Sequence, residues 1–248
     1  MNEKKKFYEI SIEERLNELS RATNLSAQEL EALNGSQGLK PEQANFMIEN
    51  VVGTFALPLG IARNFIVNGR EVLVPMAVEE PSVVAAASYM AKLARSEGGF
   101  FAESAPSEMI GQLQILDVAD LLKAQEAIFK NKEMLLEKAT SVDPVLKNLG
   151  GGARDIEVRH INESAIGEFL VLHLIFDVRD AMGANAVNTA LEAISGDVEA
   201  ITGGRVLLCI LSNLADRRVV KARCTIGLEE LAFDDFGAEQ VRDNILAA

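Results

Sequence analysis

The 248-residue chain is 48% hydrophobic and 25% charged, the balance of a folded globular protein, which excludes a disordered one. A net charge of −13 excludes a protein that neutralises nucleic-acid phosphates over a basic face. Two cysteines without pairing signals, no apolar leader and no apolar run of about 18 residues lead to a reduced, cytoplasmic protein of one large or two modest domains, with no nucleic-acid or membrane partner.

In chain order, residues 11–33 have a helical pattern in two pieces. Ser11 with Glu14 and Ser26 with Glu29 are capping boxes on either side of a break at Asn24. A turn is expected over Gly35–Pro41, and Pro41 opens a short helix through Ile48. From Val51 to Val78, short β-rich runs are punctuated by Gly53, Pro58, Gly60 and the hairpin signal Asn68-Gly69. Pro81–Arg95 reads as a helix rich in small residues, expected to be buried because its backbone permits close approach.

The middle of the chain reads as a strand at Glu108–Val118 and a long amphipathic helix over Asp120–Thr140. Breaks at Pro144 and Gly150–Gly152 precede strands at Asp155–Ile161 and Glu168–Asp177. A helix then runs from about Ala181 to Ile201, and after Gly203-Gly204 comes a strand at Arg205–Ser212. Strand, helix, strand, strand, helix, strand is the split βαβ, or ferredoxin-like, motif, assigned to residues 107–216. Val219–Ile226 is a further strand. A last helical pattern starts near Ala238 and reaches Ala248 with no stop signal; it reads as cut rather than finished, or as a short frayed C-terminal helix, and periodicity does not decide between the two.

Chemistry concentrates at two junctions. At Val178–Thr189 a strand hands over to a helix through Asp180 and Gly183, which suits a pyrophosphate held on helix-terminal N–H groups. The plainer reading is a helix capped by Asp180 with Gly183 in its first turn. At Glu79-Glu80-Pro81-Ser82 a carboxylate beside a helix start either caps the helix or, in a dry site, donates a proton. Glu49–Gly53 looks like a helix ending at a polar pair. His160 and His173 fall in strands without metal-ligand spacing and read as structural or solvent-facing, so no metal is expected. GxGxxG is absent, which leaves any dinucleotide to a non-Rossmann site.

Four strings in order, Glu49–Gly53 (ENVVG), Val78–Ser88 (VEEPSVVAAAS), Asp180–Asn185 (DAMGAN) and Ser212–Asp216 (SNLAD), resemble hydroxymethylglutaryl-coenzyme A reductase, closest to its soluble bacterial class. The resemblance implies an α+β protein with a ferredoxin-like dinucleotide domain (107–216) inserted into a larger substrate and dimerisation domain (1–106, continued at 217–248). It implies interconversion of hydroxymethylglutaryl-coenzyme A with mevalonate and coenzyme A, using two equivalents of nicotinamide dinucleotide, in a homodimer or higher even-numbered oligomer.

Position by position, the resemblance makes Glu80 the catalytic proton shuttle and Ser82 a contact to the hydroxymethylglutaryl portion. Glu49 and Asn50 belong to a dimer motif that helps build the substrate site. Asp180, Met182, Gly183 and Asn185 form the dinucleotide turn, Asn213 lies near the nicotinamide, and Asp143 engages the adenosine ribose. A carboxylate at Asp143 implies NAD rather than NADP, because it repels a 2′-phosphate. Tyr8 departs from the pattern where a basic residue for coenzyme A phosphate is expected, with Lys5 and Lys6 as substitutes. The family's catalytic lysine, aspartate and histidine have no counterpart in the 248 residues, so the chain alone is expected to be inactive. The alternative is a non-catalytic remnant that binds dinucleotide and dimerises. More remote is an unrelated ferredoxin-like sensor of another anion.

Overall fold

The computed structural model describes residues 5–33 and 38–248. Contacts group the chain into two compact units, residues 1–61 with 75–84, and residues 62–74 with 85–248. The first unit opens with helices α1 (Ile12–Thr23) and α2 (Ala27–Leu33). Both capping boxes form, with the Glu14 and Glu29 N–H groups donating to the Ser11 and Ser26 hydroxyls. Asn24 closes α1 in the left-handed conformation (φ 56°). Of the turn expected over Gly35–Pro41, residues 35–37 lie outside the described residues. Helix α3 is shorter than expected, Pro41–Ala44, and gives way to turns through Asn50.

Strands β1 (Leu59–Val67) and β2 (Arg70–Ala77) flank Asn68-Gly69, whose φ values of 49° and 77° are those of a two-residue hairpin turn. Helix α4 spans Val83–Leu93. It starts two residues later than expected because Ser82 takes a left-handed φ of 71°, which no helix accommodates. The expected burial of this helix holds only for Ala91 and Leu93, while Ala85, Ala86, Tyr89 and Met90 are exposed.

A strand not anticipated from sequence, β3 (Phe100–Ser104), lies parallel to β1 and antiparallel to β8 (Val220–Cys224). The first sheet therefore runs β2-β1-β3-β8. Just beyond the paired strands, the Ala105 N–H donates to the Val219 carbonyl (2.9 Å).

Between Ala105 and Val219 lies the second sheet, β5 (Gly152–Ile161), β6 (Phe169–Asp177), β4 (Glu108–Leu116) and β7 (Arg205–Leu211), in that order and antiparallel throughout. Its first and third strands in the chain are central, as in a ferredoxin-like fold. Alternation sends Leu170, Leu172, Leu174 and Phe176 of β6 to one face, where Leu113 and Ile115 of β4 join them. Helices α5 (Leu121–Lys130), α6 (Lys132–Ser141) and α8 (Ala184–Thr202) cover that face with Ile128, Leu135, Leu191 and Ile194, all fully buried. Each such side chain contributes about 1.5–3 kcal/mol by leaving water, which makes this the principal core of the molecule.

The single helix expected over 120–140 is two. Asn131 ends α5 by returning its side-chain amide to the Ala127 carbonyl (2.8 Å), and α6 starts afresh. A further short helix, α7 (Pro144–Asn148), fills what reads in sequence as a mere break. The chain ends in α9 (Ala238–Ala247). Among the described residues no helix is long and apolar enough to cross a membrane.

Candidate functional site

The end of β6 carries Asp177, which is only 5% exposed. Its carboxylate accepts from Arg154 Nη2 (2.9 Å) and from the Arg179 N–H (2.9 Å). Burial alone would raise this carboxyl, but the hydrogen bonds and the charges of Arg154 and Arg179 outweigh it and hold it below its ordinary value. Both guanidiniums also donate to the Gly150 carbonyl. A Cβ on Gly151 would meet Leu146 Cγ at 2.7 Å and the Asp177 carbonyl oxygen at 2.9 Å, so the glycine triplet is a seat shaped to the strand end above it.

From this anchor the chain turns through Arg179, at a left-handed φ of 51°, into α8. Asp180 does not cap the helix. The N-cap is Gly183, at φ 100° and without a side-chain cap. Only glycine fits there, since a Cβ would lie 2.5 Å from Met109 Sδ and 2.8 Å from Val178 Cγ1. The first bond of α8 runs from the Val187 N–H to the Gly183 carbonyl (3.0 Å), so the N–H groups of Ala184, Asn185 and Ala186 precede it. Neither the Asp180 nor the Gly183 N–H finds an acceptor among the described residues. Asp180, Met182 and Asn185 are exposed around this rim, and Gly183 is buried beneath it.

Asp143 and the turn share one cleft of about 330 Å³, lined by Asp143, Val145, Leu149, Arg179, Asp180 and Ala181 with Leu146 and Val178 behind. The sequence gives Asp143 one role, but the structure gives it another as well. It caps α7, one carboxylate oxygen accepting the Leu146 N–H (2.9 Å), which fixes the side chain and leaves the second oxygen to the cleft.

The segment after β7, which carries Asn213, is held to the second sheet by the Ser212 N–H on the Ile110 carbonyl (2.8 Å). Further on, Arg218 reaches the turn itself. It donates to the Met182 carbonyl (3.3 Å) and the Arg179 carbonyl (3.4 Å), so the chain two residues after Ser212–Asp216 is tied to the turn. Arg154, Asp177 and Arg218 escape a reading based on motifs. The only signals were the unexplained glycine triplet and the Arg217-Arg218 pair directly after Asp216.

These parts suit a particular kind of ligand. Unbonded N–H groups at a helix start receive an anion, apolar walls receive a flat ring, and a fixed carboxylate accepts hydrogen bonds from a diol. A nicotinamide dinucleotide presents all three.

In the first unit, Glu80 and Ser82 are exposed, and Ser82 is held in its strained left-handed turn. Glu49 is exposed, and Asn50 is exposed with φ 56°. No hydrogen bond or ion pair among the described residues joins either of these to Glu80 or Ser82. Around them Phe46, Met47, Ile48, Val52 and Phe55 are all exposed, Val52 completely and Phe55 by 89%. His160 contacts the Gln125 side chain on α5, and His173 is buried on β6.

The hydroxymethylglutaryl-coenzyme A reductase family profile matches residues 11–248. The chain belongs to this family. It is 47% identical over 242 residues to the 3-hydroxy-3-methylglutaryl-coenzyme A reductase of Archaeoglobus fulgidus, a match covering 98% of this chain and 54% of the relative. A probable reductase of the same name from Borreliella burgdorferi is 33% identical, across 75% of this chain and 41% of its own length. Among solved structures, the class II reductase of Streptococcus pneumoniae bound to NADPH in open conformations is similar with a TM-score of 0.88 and 40% identity. That match covers 96% of this chain and 63% of the other. The chain thus spans about half the length of the curated reductases it matches, and its two-sheet, mixed helix-and-strand fold is that of a class II reductase over this span.

Proposed function

We propose that the protein is a hydroxymethylglutaryl-coenzyme A reductase, interconverting hydroxymethylglutaryl-coenzyme A with mevalonate and coenzyme A, and that residues 107–216 are its dinucleotide-binding domain, inserted between 1–106 and 217–248. The observation that carries this is the cleft shared by Asp143 and Arg179–Ala181, beside the open start of α8. Asp143 and the turn line this cleft from two elements that sequence separates, which supports reading them as a ribose acceptor beside a pyrophosphate receptor.

When bound, the dinucleotide supplies hydride. The chain's own residues bind and orient it. N–H groups of the Asp180–Ala186 stretch receive the pyrophosphate, with Gly183 buried so that the backbone can come close. Asp143 accepts ribose hydroxyls with its uncommitted oxygen, and Asn213 contacts the nicotinamide end. In the substrate domain, Glu80 moves a proton at the thioester carbonyl and Ser82 holds the hydroxymethylglutaryl portion. Glu49 and Asn50 complete the site across a two-fold interface formed around the exposed Phe46–Phe55 segment.

The fixed negative charge of Asp143 gives NAD preference over NADP, although the Streptococcus pneumoniae structure holds NADPH. Titrating the chain with NADH and NADPH by fluorescence tests the site and the preference together. Tighter NADPH binding overturns the preference, and no binding of either overturns the site. Turnover of hydroxymethylglutaryl-coenzyme A by these 248 residues alone is expected to be negligible, because the groups that polarise the thioester and protonate the departing thiolate fall elsewhere in the family. Robust oxidation of NADH or NADPH by the purified chain would refute that.

A further inference from the structure

Four arginines surround the turn, and three are committed to carboxylates. Arg154 and Arg179 pair with Asp177, and Arg217 pairs with Glu157 and lies 3.9 Å from Glu108. Arg218 differs. Among the described residues no carboxylate pairs with it, and its hydrogen bonds go to Met109 Sδ and to the backbone carbonyls of Arg179 and Met182.

The peptide unit is planar and trans, so a carbonyl and the following N–H point in opposite directions. Holding the Arg179 carbonyl towards Arg218 turns the Asp180 N–H away from it, and holding the Met182 carbonyl does the same for the Gly183 N–H. With the Met182 N–H, these are the N–H groups of the turn that find no acceptor among the described residues, and the Asp180 and Gly183 N–H groups are the ones whose peptides Arg218 holds. A planar guanidinium can grip two carbonyls at once because its five donors are set in a rigid fork.

We infer that Arg218 is a positioning residue for the dinucleotide. It fixes the 179–180 and 182–183 peptides so that their N–H groups serve the pyrophosphate, and it adds an uncompensated positive charge at the rim of a protein that is otherwise strongly acidic. The inference rests on the dinucleotide reading of the cleft and adds to it a residue from outside both cofactor strings.

The test compares the full chain with Arg218→Ala and Arg218→Lys. NADH and NADPH affinities are measured by fluorescence titration, and exchange of the 180–186 backbone amides is followed without ligand. Arg218 is exposed, so the thermal midpoint of R218A should stay within ~2 °C of the parent. Dinucleotide affinity should fall about tenfold, the scale of lost charge-assisted hydrogen bonds. Exchange at 180–186 should quicken, and R218K, which keeps the charge without the fork, should recover part of the affinity. Arg242→Ala, which removes a guanidinium paired among the described residues only with its neighbour Asp243, should change none of these. Unchanged affinity in R218A overturns the inference where the parent chain binds dinucleotide. A parent chain that binds neither dinucleotide overturns the cofactor reading instead. In that case faster exchange in R218A sustains the positioning role, and unchanged exchange overturns it.

Discussion

Asp177 ends a strand, orders two arginines and accepts the N–H that starts the turn, all through one buried carboxylate. Asp177→Asn removes the charge but keeps the shape, leaving both guanidiniums short of a partner. Because Arg154 and Arg179 are 39% and 44% exposed, solvent screens the loss, and the expected cost is about 2 kcal/mol in urea unfolding at neutral pH. The carboxyl is held below its ordinary value, so its stabilisation is fully present above the unfolded-chain pKa of about 3.9 and is lost as pH falls through the lower folded one. Stability curves of the parent and D177N should therefore lie apart at pH 6 and converge towards pH 3. Parallel curves would show that Asp177 is not a titrating anchor.

Gly183 makes a different demand at the same site. Gly183→Ala must take a φ of 100° and push against Val178, which is buried and cannot yield as the Met109 thioether can. The expected cost is about 2–3 kcal/mol, with weaker dinucleotide binding in the same variant, read by unfolding and titration together.

At the scale of elements, the hairpin between β1 and β2 does more than reverse the chain. The Asn68 side-chain amide donates to the Ala102 carbonyl and its oxygen accepts the Ala102 N–H, both at 2.9 Å, so the turn residue is stitched to β3 like a strand. Asn68→Ala loses both bonds and the easy left-handed φ, for about 1–2 kcal/mol in urea unfolding. Asn68→Gly keeps the φ and isolates the bonds. Equal stability of N68G and the parent would show that the stitching contributes nothing.

Asn68-Gly69 was legible because turn chemistry is local, as were the two capping boxes and the alternation of β6. What sequence did not show were features that depend on distant partners. Strand β3 became a strand through β1 and β8, and without them Phe100–Ser104 carries no distinctive period. The stop in the 121–141 helical run depends on one asparagine bonding back to its own helix. The same holds at the site. Asp180 and Gly183 stood out in a motif, yet the need for glycine at 183 comes partly from Met109, more than seventy residues earlier in the chain. Arg218 stood in no motif at all, since its meaning lies in two carbonyls some forty residues earlier.

At the scale of the molecule, an apolar cluster lies bare on the first unit. Phe46, Ile48, Val52 and Phe55 are exposed within ten residues of chain, where single exposed apolar residues are the norm for a monomer. Self-association through this cluster is expected, even against the mutual repulsion of a net charge of −13. Sedimentation velocity should show the parent as dimer or larger, and Val52→Asp with Phe55→Asp should move it to monomer. An unchanged distribution would place the contact elsewhere.

The bond between Ala105 and Val219 has a consequence for folding. Strands β3 and β8 are in effect a hairpin whose loop is the whole second sheet with its helices. Closing so long a loop from an open chain carries an entropic penalty that grows with the logarithm of its length, and five residue pairs of ladder are a small return for it. Once the second sheet has formed, its own fold brings the two ends side by side, and the hairpin closes as though its loop were short. The topology thereby predicts an order of assembly: the cleft-bearing sheet is expected to form first, with the β3–β8 pairing of the first sheet following from it.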